Sequence, residues 1–341
     1  MAKRELKIAV VGLGVAGSYL LNRLSEQHEV DGYERQPFDR FNAVCAWGTS
    51  RHELGKILSP LGISFEQYIL HDGKYMRVDL GEEMLEIPLK GLVTFDKHQL
   101  ELDLVKGQRA HFGVKATPDS ILNDGYDLVI DATGNHRAFL PKLSQDFFIP
   151  CIEYKVRYNP SPPTDDFYIK PFRHDSGYLW YFPLEKGNGY VGAGDFFRKH
   201  LEFADEYNRN HPGEIIKKIG RPIRFTPPRL CEPFYQGKVV GVGESIGTIF
   251  PILGEGIIPS LECAEILCET LPDLEEYRER VLEHFSIFYD IYRLVKLKME
   301  NKFNPIRYAN LLMKTYRYMK AREERFGMTI RANDLYKIIR M

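Results

Sequence analysis

Residues 11–17 read Val-Gly-Leu-Gly-Val-Ala-Gly and set Gly12, Gly14 and Gly17 in a GxGxxG spacing. The apolar run 6–11 reads as a short buried strand, and a helical pattern follows with Ala16, Tyr19, Leu20 and Leu24 on one side. In such a corner the first glycine permits a tight turn and the second lets the main chain approach a pyrophosphate. The third lets helix and strand pack closely. The helix N-terminus then presents free amides and a positive dipole end to the anion. Glu34 stands 22 residues after Gly12, closing a second strand, with Arg35 beside it. A carboxylate there accepts from both ribose hydroxyls and repels a 2′-phosphate, which argues against NADP. The chemistry implied is the grip of an adenine dinucleotide, nicotinamide or flavin.

Two further corners have the same grammar. Residues 126–134, "YDLVIDATG", form a buried strand that ends on Ala132, Thr133 and Gly134. Residues 237–245, "GKVVGVGES", form another, leading to Gly243 and Glu244. Pro251, Gly254, Gly256 and Ile257 then open a long helix that runs to about Cys268. Between these corners the pattern changes. Residues 74–90 alternate like antiparallel strands around a Gly-Glu turn, and 151–195 are rich in Tyr, Phe and Pro. Hairpin-like breaks fall at "NPSPPTDD", "HDSG" and "EKGNG". Within "GYLWYFP", residues 177–183, strand alternation puts Tyr178, Trp180 and Phe182 on one face as an aromatic wall. After Pro272 the chain reads as helical, with one break at "NKFNP".

These elements predict an α/β protein. A Rossmann-type dinucleotide-binding domain is assembled from discontinuous segments, 1–60, 95–150 and 235–270. An inserted antiparallel β-sheet substrate domain takes 61–94 and 151–234, and a helical C-terminal region takes 271–341. With 341 residues, 44% hydrophobic and 27% charged at a net −1, the chain has the composition of a soluble globular protein. No apolar stretch reaches about 18 residues, so no membrane-spanning helix is expected. The charged start and short strand of the N-terminus do not read as a secretory leader. Five cysteines (45, 151, 231, 263, 268) form no CxxC pair, which suits a reducing cytoplasm. The ten histidines show no HxxxH spacing, and no metal site is expected. Charge is uneven: residues 296–341 hold twelve Lys and Arg against four acids, +8, leaving about −9 for the rest. That basic, aromatic tail suits peripheral contact with an anionic membrane surface, or a solvated helix face beside an acidic partner.

In combination and in this order, the GxGxxG corner with its acid, the strand ending in DATG, and the G-E-S-x-G…P-x-x-G-x-G-I segment resemble the FAD-dependent fold of aromatic hydroxylases and geranylgeranyl reductases. The resemblance implies FAD. It implies that the segment of Gly243 and Glu244 meets the ribityl and pyrophosphate portions, and that Pro251–Gly256 delivers a helix N-terminus to the flavin's pyrimidine edge. The family usually carries Asp where this chain has Glu244. "GYLWYFP" resembles the YxWxFP element of geranylgeranyl reductases, with Asp175 where a Pro is usual; a halogenase would show Trp-x-Trp-x-Ile. "RFNAVCAWG", residues 40–48, resembles the Cys-x-x-Gly element of the archaeal reductases, which places Cys45 close to the flavin. Ala46 stands where that family commonly has Gly. Thr94 replaces an Arg the family tends to carry before its Phe-Asp, so Phe95 and Asp96 are read as fold elements.

The function implied is reduction of carbon–carbon double bonds in isoprenoid, geranylgeranyl-type chains, with Cys45 helping to donate or position a proton and the aromatic wall binding substrate. An external donor, NAD(P)H or ferredoxin, is required, and no nucleic-acid partner is expected. An oxygen-using monooxygenase or halogenase of the same fold is the second reading. A non-catalytic FAD-bearing protein that docks to a membrane or partner through residues 296–341 is the third.

Overall fold

A computed structural model describes residues 5–42, 45–173 and 176–339 of the chain. It contains two compact units. The first comprises Met1–Ala43, Lys97–Phe147 and Arg224–Tyr289; the second comprises Val44–Asp96, Phe148–Ile223 and Asp290–Met341.

The first unit holds a six-stranded sheet. Its order is Tyr235–Gln236, Val239–Gly241, Leu128–Asp131, Lys7–Val11, Glu29–Glu34 and Ala110–Phe112. All pairs are parallel except the hairpin at the 235–241 edge. Ile8, Ala9 and Val10 are wholly buried, as an inner parallel strand covered on both faces requires. The register fixes where the sheet ends: Val11 lies beside Tyr33 and Asp131, and Asp131 lies beside Gly241. The three glycine-containing corners therefore leave the sheet at one level, at the carboxyl ends of its strands. Open α/β sheets bind ligands in that place. The helix Val15–Leu24 is flanked by two others, with Tyr19 Oη donating to Glu265 at 2.5 Å and Asn22 Nδ2 donating to the Leu104 carbonyl at 3.0 Å.

The second unit is built on a seven-stranded sheet. Its order is Glu214–Gly220, Cys151–Arg157, Asn188–Asp195, Gly177–Pro183, Phe167–Pro171, Tyr75–Asp79 and Met84–Pro88. All pairings are antiparallel apart from Phe167–Pro171 with Tyr75–Asp79. The breaks at "HDSG" and "EKGNG" join true hairpins. The break at "NPSPPTDD" does not: Cys151–Arg157 pairs with Asn188–Asp195 and Glu214–Gly220, so the connection crosses two intervening strands. Three strand spacings come to about 14 Å, well within the reach of a nine-residue link. Residues 74–90 form the expected hairpin, turning through Gly81 at φ +88°.

A three-stranded antiparallel sheet, Gly48–Ser50, Leu92–Phe95 and Ile69–Asp72, completes the second unit. Because Gly48–Ser50 pairs with Leu92–Phe95, the segment 45–60 lies here rather than with the glycine-turn segment to which the sequence reading gave it. Residues 271–341 do not stand as one region. Tyr277 Oη donates to the Gly241 carbonyl at 2.8 Å, fastening 271–289 to the first sheet. Ser50 Oγ donates to the Glu324 carbonyl at 2.6 Å, and the Gly327 carbonyl accepts from the amides of Lys90 and Leu92, stitching 290–341 to the small sheet.

One face of the large sheet is core. Leu179, Tyr181, Ile152, Tyr154, Val156 and Val191 pack there with Ala204 and Tyr207 of the helix His200–Asn210. The Tyr158 and Tyr181 hydroxyls are buried and find no hydrogen-bond partner among the described residues, and burial raises both phenol pKa values. Deleting an unpaired buried hydroxyl while keeping its ring is neutral or stabilising, by up to about 1 kcal/mol. Tyr181→Phe is therefore expected to hold or raise the thermal midpoint in calorimetry; a fall of several degrees would show that the hydroxyl is bonded.

Candidate functional site

The glycine turn is shaped by how closely main chain meets main chain. Gly12 has φ +92°, and a Cβ on it would begin 2.6 Å from the Ala132 carbonyl oxygen. A Cβ on Gly17 would begin 1.8 Å from the Gly12 carbonyl oxygen and 3.3 Å from the Ala132 methyl. Gly14 differs. It has ordinary extended backbone, φ −70° and ψ −170°, and a Cβ there would meet nothing within 4 Å. Nothing inside the protein within 4 Å excludes a side chain at position 14.

The second and third corners meet the first. A Cβ on Gly243, at φ +68°, would lie 3.1 Å from Ser260 Oγ and 3.5 Å from the Ala16 methyl. Ser260 belongs to the first turn of the helix Ile257–Thr270, which starts after Gly256. The helices that begin at Val15 and Ile257 are both preceded by glycine, with no side-chain cap at that glycine and no acid in the first turn. Glu255 Oε1, from the turn that holds buried Pro251 and half-buried Gly254, accepts from the Ile258 amide at 3.1 Å, so one amide of the second helix start already meets a carboxylate. Uncapped helix N-termini are anion sites, since their amides lack partners and carry the positive end of the dipole.

Glu34 is buried, and each carboxylate oxygen already takes one amide: Oε2 from Leu13 at 3.1 Å and Oε1 from Gln36 at 2.9 Å. The side chain thus ties the glycine turn to the second strand, and one lone pair on each oxygen remains for a ribose hydroxyl. Arg35, beside it, is exposed. Thr133 spends its hydroxyl inside its own corner, donating to Asp131 Oδ1 at 2.6 Å and accepting from the Ala138 amide at 2.9 Å. Glu244 Oε1 accepts from the Arg224 amide at 2.9 Å.

Two buried arginines, absent from the sequence reading, hold the second and third corners together. Arg224, 2% exposed, donates to the Glu244 carbonyl at 2.7 Å, the Asn135 carbonyl at 3.0 Å and Asp146 at 2.9 Å, with a longer 3.4 Å contact to the Gly134 carbonyl. Arg137, also 2% exposed, donates to the carbonyls of Pro141, Ser245 and Pro233 at 2.8, 2.7 and 2.6 Å. Its pKa is pushed down by burial. Asp131 completes the corner, accepting from the amides of Thr133, Phe139 and Leu140. Only Asp131 stood inside a quoted motif. Arg224 lies 20 to 90 residues from the groups it grips and has no local pattern to mark it.

In the second unit, Tyr178, Trp180 and Phe182 are half-buried on the sheet face opposite Leu179 and Tyr181. Tyr178 and Trp180 meet edge to face at 5.7 Å. Trp180 packs against Gly192, where a Cβ would begin 2.2 Å from its ring, and Phe182 packs against Gly48, where a Cβ would begin 2.4 Å away. The glycine of the Cys-x-x-Gly element therefore serves the last aromatic of the wall. Cys45 is half-buried against a small cluster of Trp47, Leu184 and Tyr190. Thr94 is fully buried and donates to the Pro183 carbonyl at 2.6 Å, holding the small sheet to the end of the aromatic strand. Asp175 lies outside the described residues. An open pocket of about 450 Å3, lined by Arg77, Thr164, Tyr168, Tyr207 and His211, lies toward the Tyr181 side, since Tyr168 pairs with Tyr181. Among the described residues no group of three His, Cys, Asp or Glu is placed to hold a metal, and no helix is long and apolar enough to cross a membrane.

No family model matches the chain. Over 172 residues it is 30% identical to digeranylgeranylglycerophospholipid reductase 2 of Methanothermobacter thermautotrophicus, a match covering 47% of this chain and 44% of that protein. The chain thus spans less than half the length of that curated relative. A geranylgeranyl bacteriochlorophyll reductase-like structure from Thermoplasma acidophilum superposes with a TM-score of 0.67 at 17% identity, covering 98% of this chain and 96% of the other. Over about half of its length the chain is similar in sequence to the geranylgeranyl-type reductases. Its fold is wider than that group: a probable FAD-dependent monooxygenase from Pseudomonas aeruginosa superposes with a TM-score of 0.66 at 16% identity, over 91% of this chain and all of the other.

Gly14 and Gly17 separate ligand from fold. Gly14→Ala is expected to keep the unfolding free energy within about 1 kcal/mol of the parent and to lose most FAD retention on reconstitution. Gly17→Ala is expected to cost about 3 kcal/mol or more, because main chain must move. Melting curves alongside flavin content of the purified variants check both; a Gly14→Ala protein that stays fully loaded would show that no ligand approaches there. Arg224→Met is expected to lower stability by about 3 kcal/mol and release FAD. Arg224→Lys should fail to rescue it, since a single ammonium cannot serve three separated acceptors.

Proposed function

We propose that the first unit binds FAD across its three corners and that the protein reduces carbon–carbon double bonds of isoprenoid chains, of the geranylgeranyl type found in archaeal membrane lipids. The observation that carries the binding is the open face of Gly14 at the start of the helix Val15–Leu24, in a turn whose other glycines, Gly12 and Gly17, are dictated by internal packing. The lipid class rests on the named reductase relatives together with the half-exposed aromatic face of the second unit.

The residues fit the group. The helix starts at Val15 and Ile257 would face its anionic parts, Glu34 keeps acceptor capacity for a ribose, and Glu244 and Gly243 sit at the corner the resemblance assigns to the ribityl chain. When bound, FAD supplies two-electron reduction. An isolated alkene has no carbonyl to polarise, so the protein's part is to hold the chain in dry surroundings with one carbon placed to receive a hydride and the other a proton. Tyr178, Trp180 and Phe182 would supply the apolar surface, and Cys45 would hold or position the proton. The electrons come from an external donor, NAD(P)H or ferredoxin.

The test is direct. FAD-loaded, reduced protein incubated with a geranylgeranyl lipid is expected to add two hydrogens per double bond, read by mass spectrometry. No mass gain, with the flavin bound and reduced, would overturn the reading. The likeness to the monooxygenase structure supports a second reading, in which the reduced protein consumes oxygen in step with substrate; oxygen uptake that depends on substrate would favour it. Bound FAD with neither turnover would favour a non-catalytic role.

A further inference from the structure

We propose that residues 302–322 form a docking surface for an anionic lipid bilayer, with Ile306 as its inserted tip. The proposal is independent of the reductase reading. The stretch carries six cations, Lys302, Arg307, Lys314, Arg317, Lys320 and Arg322, and no Asp or Glu. At its head Ile306 is 88% exposed, an unusual setting for an isoleucine. A built turn presents it. Asn304 Oδ1 accepts from the amides of Ile306 and Arg307, both at 3.0 Å, and the rings of Phe303 and Tyr308 stack at 6.1 Å on either side of the turn.

The helix Ala309–Lys320 continues the surface. It buries Thr315 and Met319 and exposes Met313, Lys314, Arg317 and Lys320 along the opposite edge, with Met313 48% exposed. Lys302, Lys314 and Lys320 pair with Glu300, Asp290 and Glu323. Exposed pairs of this kind are weak and give way to other anions, and even counting all three acids, six cations face three. Arg307 rests on the Tyr308 ring and, like Arg317, forms no ion pair among the described residues.

Charge decides the occupant. A second copy meeting this surface with its own would set cations against cations, because the stretch contributes no acid. Nucleic acid would leave Ile306 and Met313 in water. An anionic bilayer serves both features, since headgroups take the cations and the acyl boundary takes the apolar tip.

The full-length protein is tested by co-sedimentation with vesicles of phosphatidylcholine alone and of an equimolar mixture with phosphatidylglycerol. Binding is expected only to the mixture, and it should weaken as salt is raised. Arg307→Glu with Arg317→Glu should reduce partitioning at least roughly ten-fold, and Ile306→Ser should reduce it about five-fold or more. Both variants should keep the parent's melting curve, as these side chains are exposed. Equal partitioning to both vesicle types, no partitioning, or a charge-reversed variant that binds like the parent would overturn the proposal. So would a concentration-dependent dimer in analytical ultracentrifugation that Ile306→Ser abolishes while vesicles go unbound.

Discussion

A side chain at Gly17 would begin 1.8 Å from the Gly12 carbonyl oxygen, and one at Gly12 would begin 2.6 Å from that of Ala132. These two approaches seat the first helix on the first strand and press the first corner onto the second. They also set how far the helix N-terminus stands from the sheet edge, and so where its amides point. The Gly12 amide is spent on the Tyr33 carbonyl at 2.8 Å, and the Leu13 amide on Glu34. The turn is thus closed on its inner side by steric contact and hydrogen bonds, leaving Gly14 as its one open residue.

Such a turn keeps its shape only if the neighbouring corners do not drift, and polar burial takes over that task. Arg137 and Arg224 are guanidinium groups removed from water, a costly arrangement unless their N–H donors find acceptors. Main-chain carbonyls at the two corners supply those acceptors, with Asp146 balancing the charge of Arg224. The corners need the arginines because loop carbonyls at the end of a sheet have no ladder to pair with. The arginines need the corners because a buried guanidinium must find acceptors for its N–H groups. Removing either side strands the other, so the rigidity of the corners comes from mutual dependence.

This division explains what could be read in the sequence. Gly12, Gly17, Ala132 and Gly243 were legible because close approach demands small residues at fixed spacing. The strands Lys7–Val11, Leu128–Asp131 and Val239–Gly241 were legible because burial on both faces writes an apolar run. Arg224 was not, since an arginine in "RPIRFTPPR" looks like a solvated charge until residues 134, 135 and 244 are brought to it. The alternation of "GYLWYFP" was plain, but every member is apolar or aromatic, so pattern alone did not say which face was core; packing of the helix His200–Asn210 on Leu179 and Tyr181 decides it. Residues 45–60 were grouped by chain proximity with the glycine turn, whereas strand pairing across 48–50 and 92–95 outweighs proximity.

The demands that a dinucleotide would make on the corners of the first unit are alike for a reductase and for a monooxygenase of the same fold. Whatever distinguishes the reactions must therefore be carried by other residues. In the second unit the aromatic face and the Cys45 segment are joined mechanically, since Phe182 packs against Gly48 and Thr94 holds the Pro183 carbonyl. A larger residue at 48 would lift Phe182, and a shift of the aromatic strand would pull on the loop that carries the thiol. The Cys-x-x-Gly spacing follows from that contact: the glycine packs against the ring, and the cysteine, three residues earlier, reaches the Trp47, Leu184 and Tyr190 cluster beside it. The aromatic face and the thiol are thus set by one piece of packing.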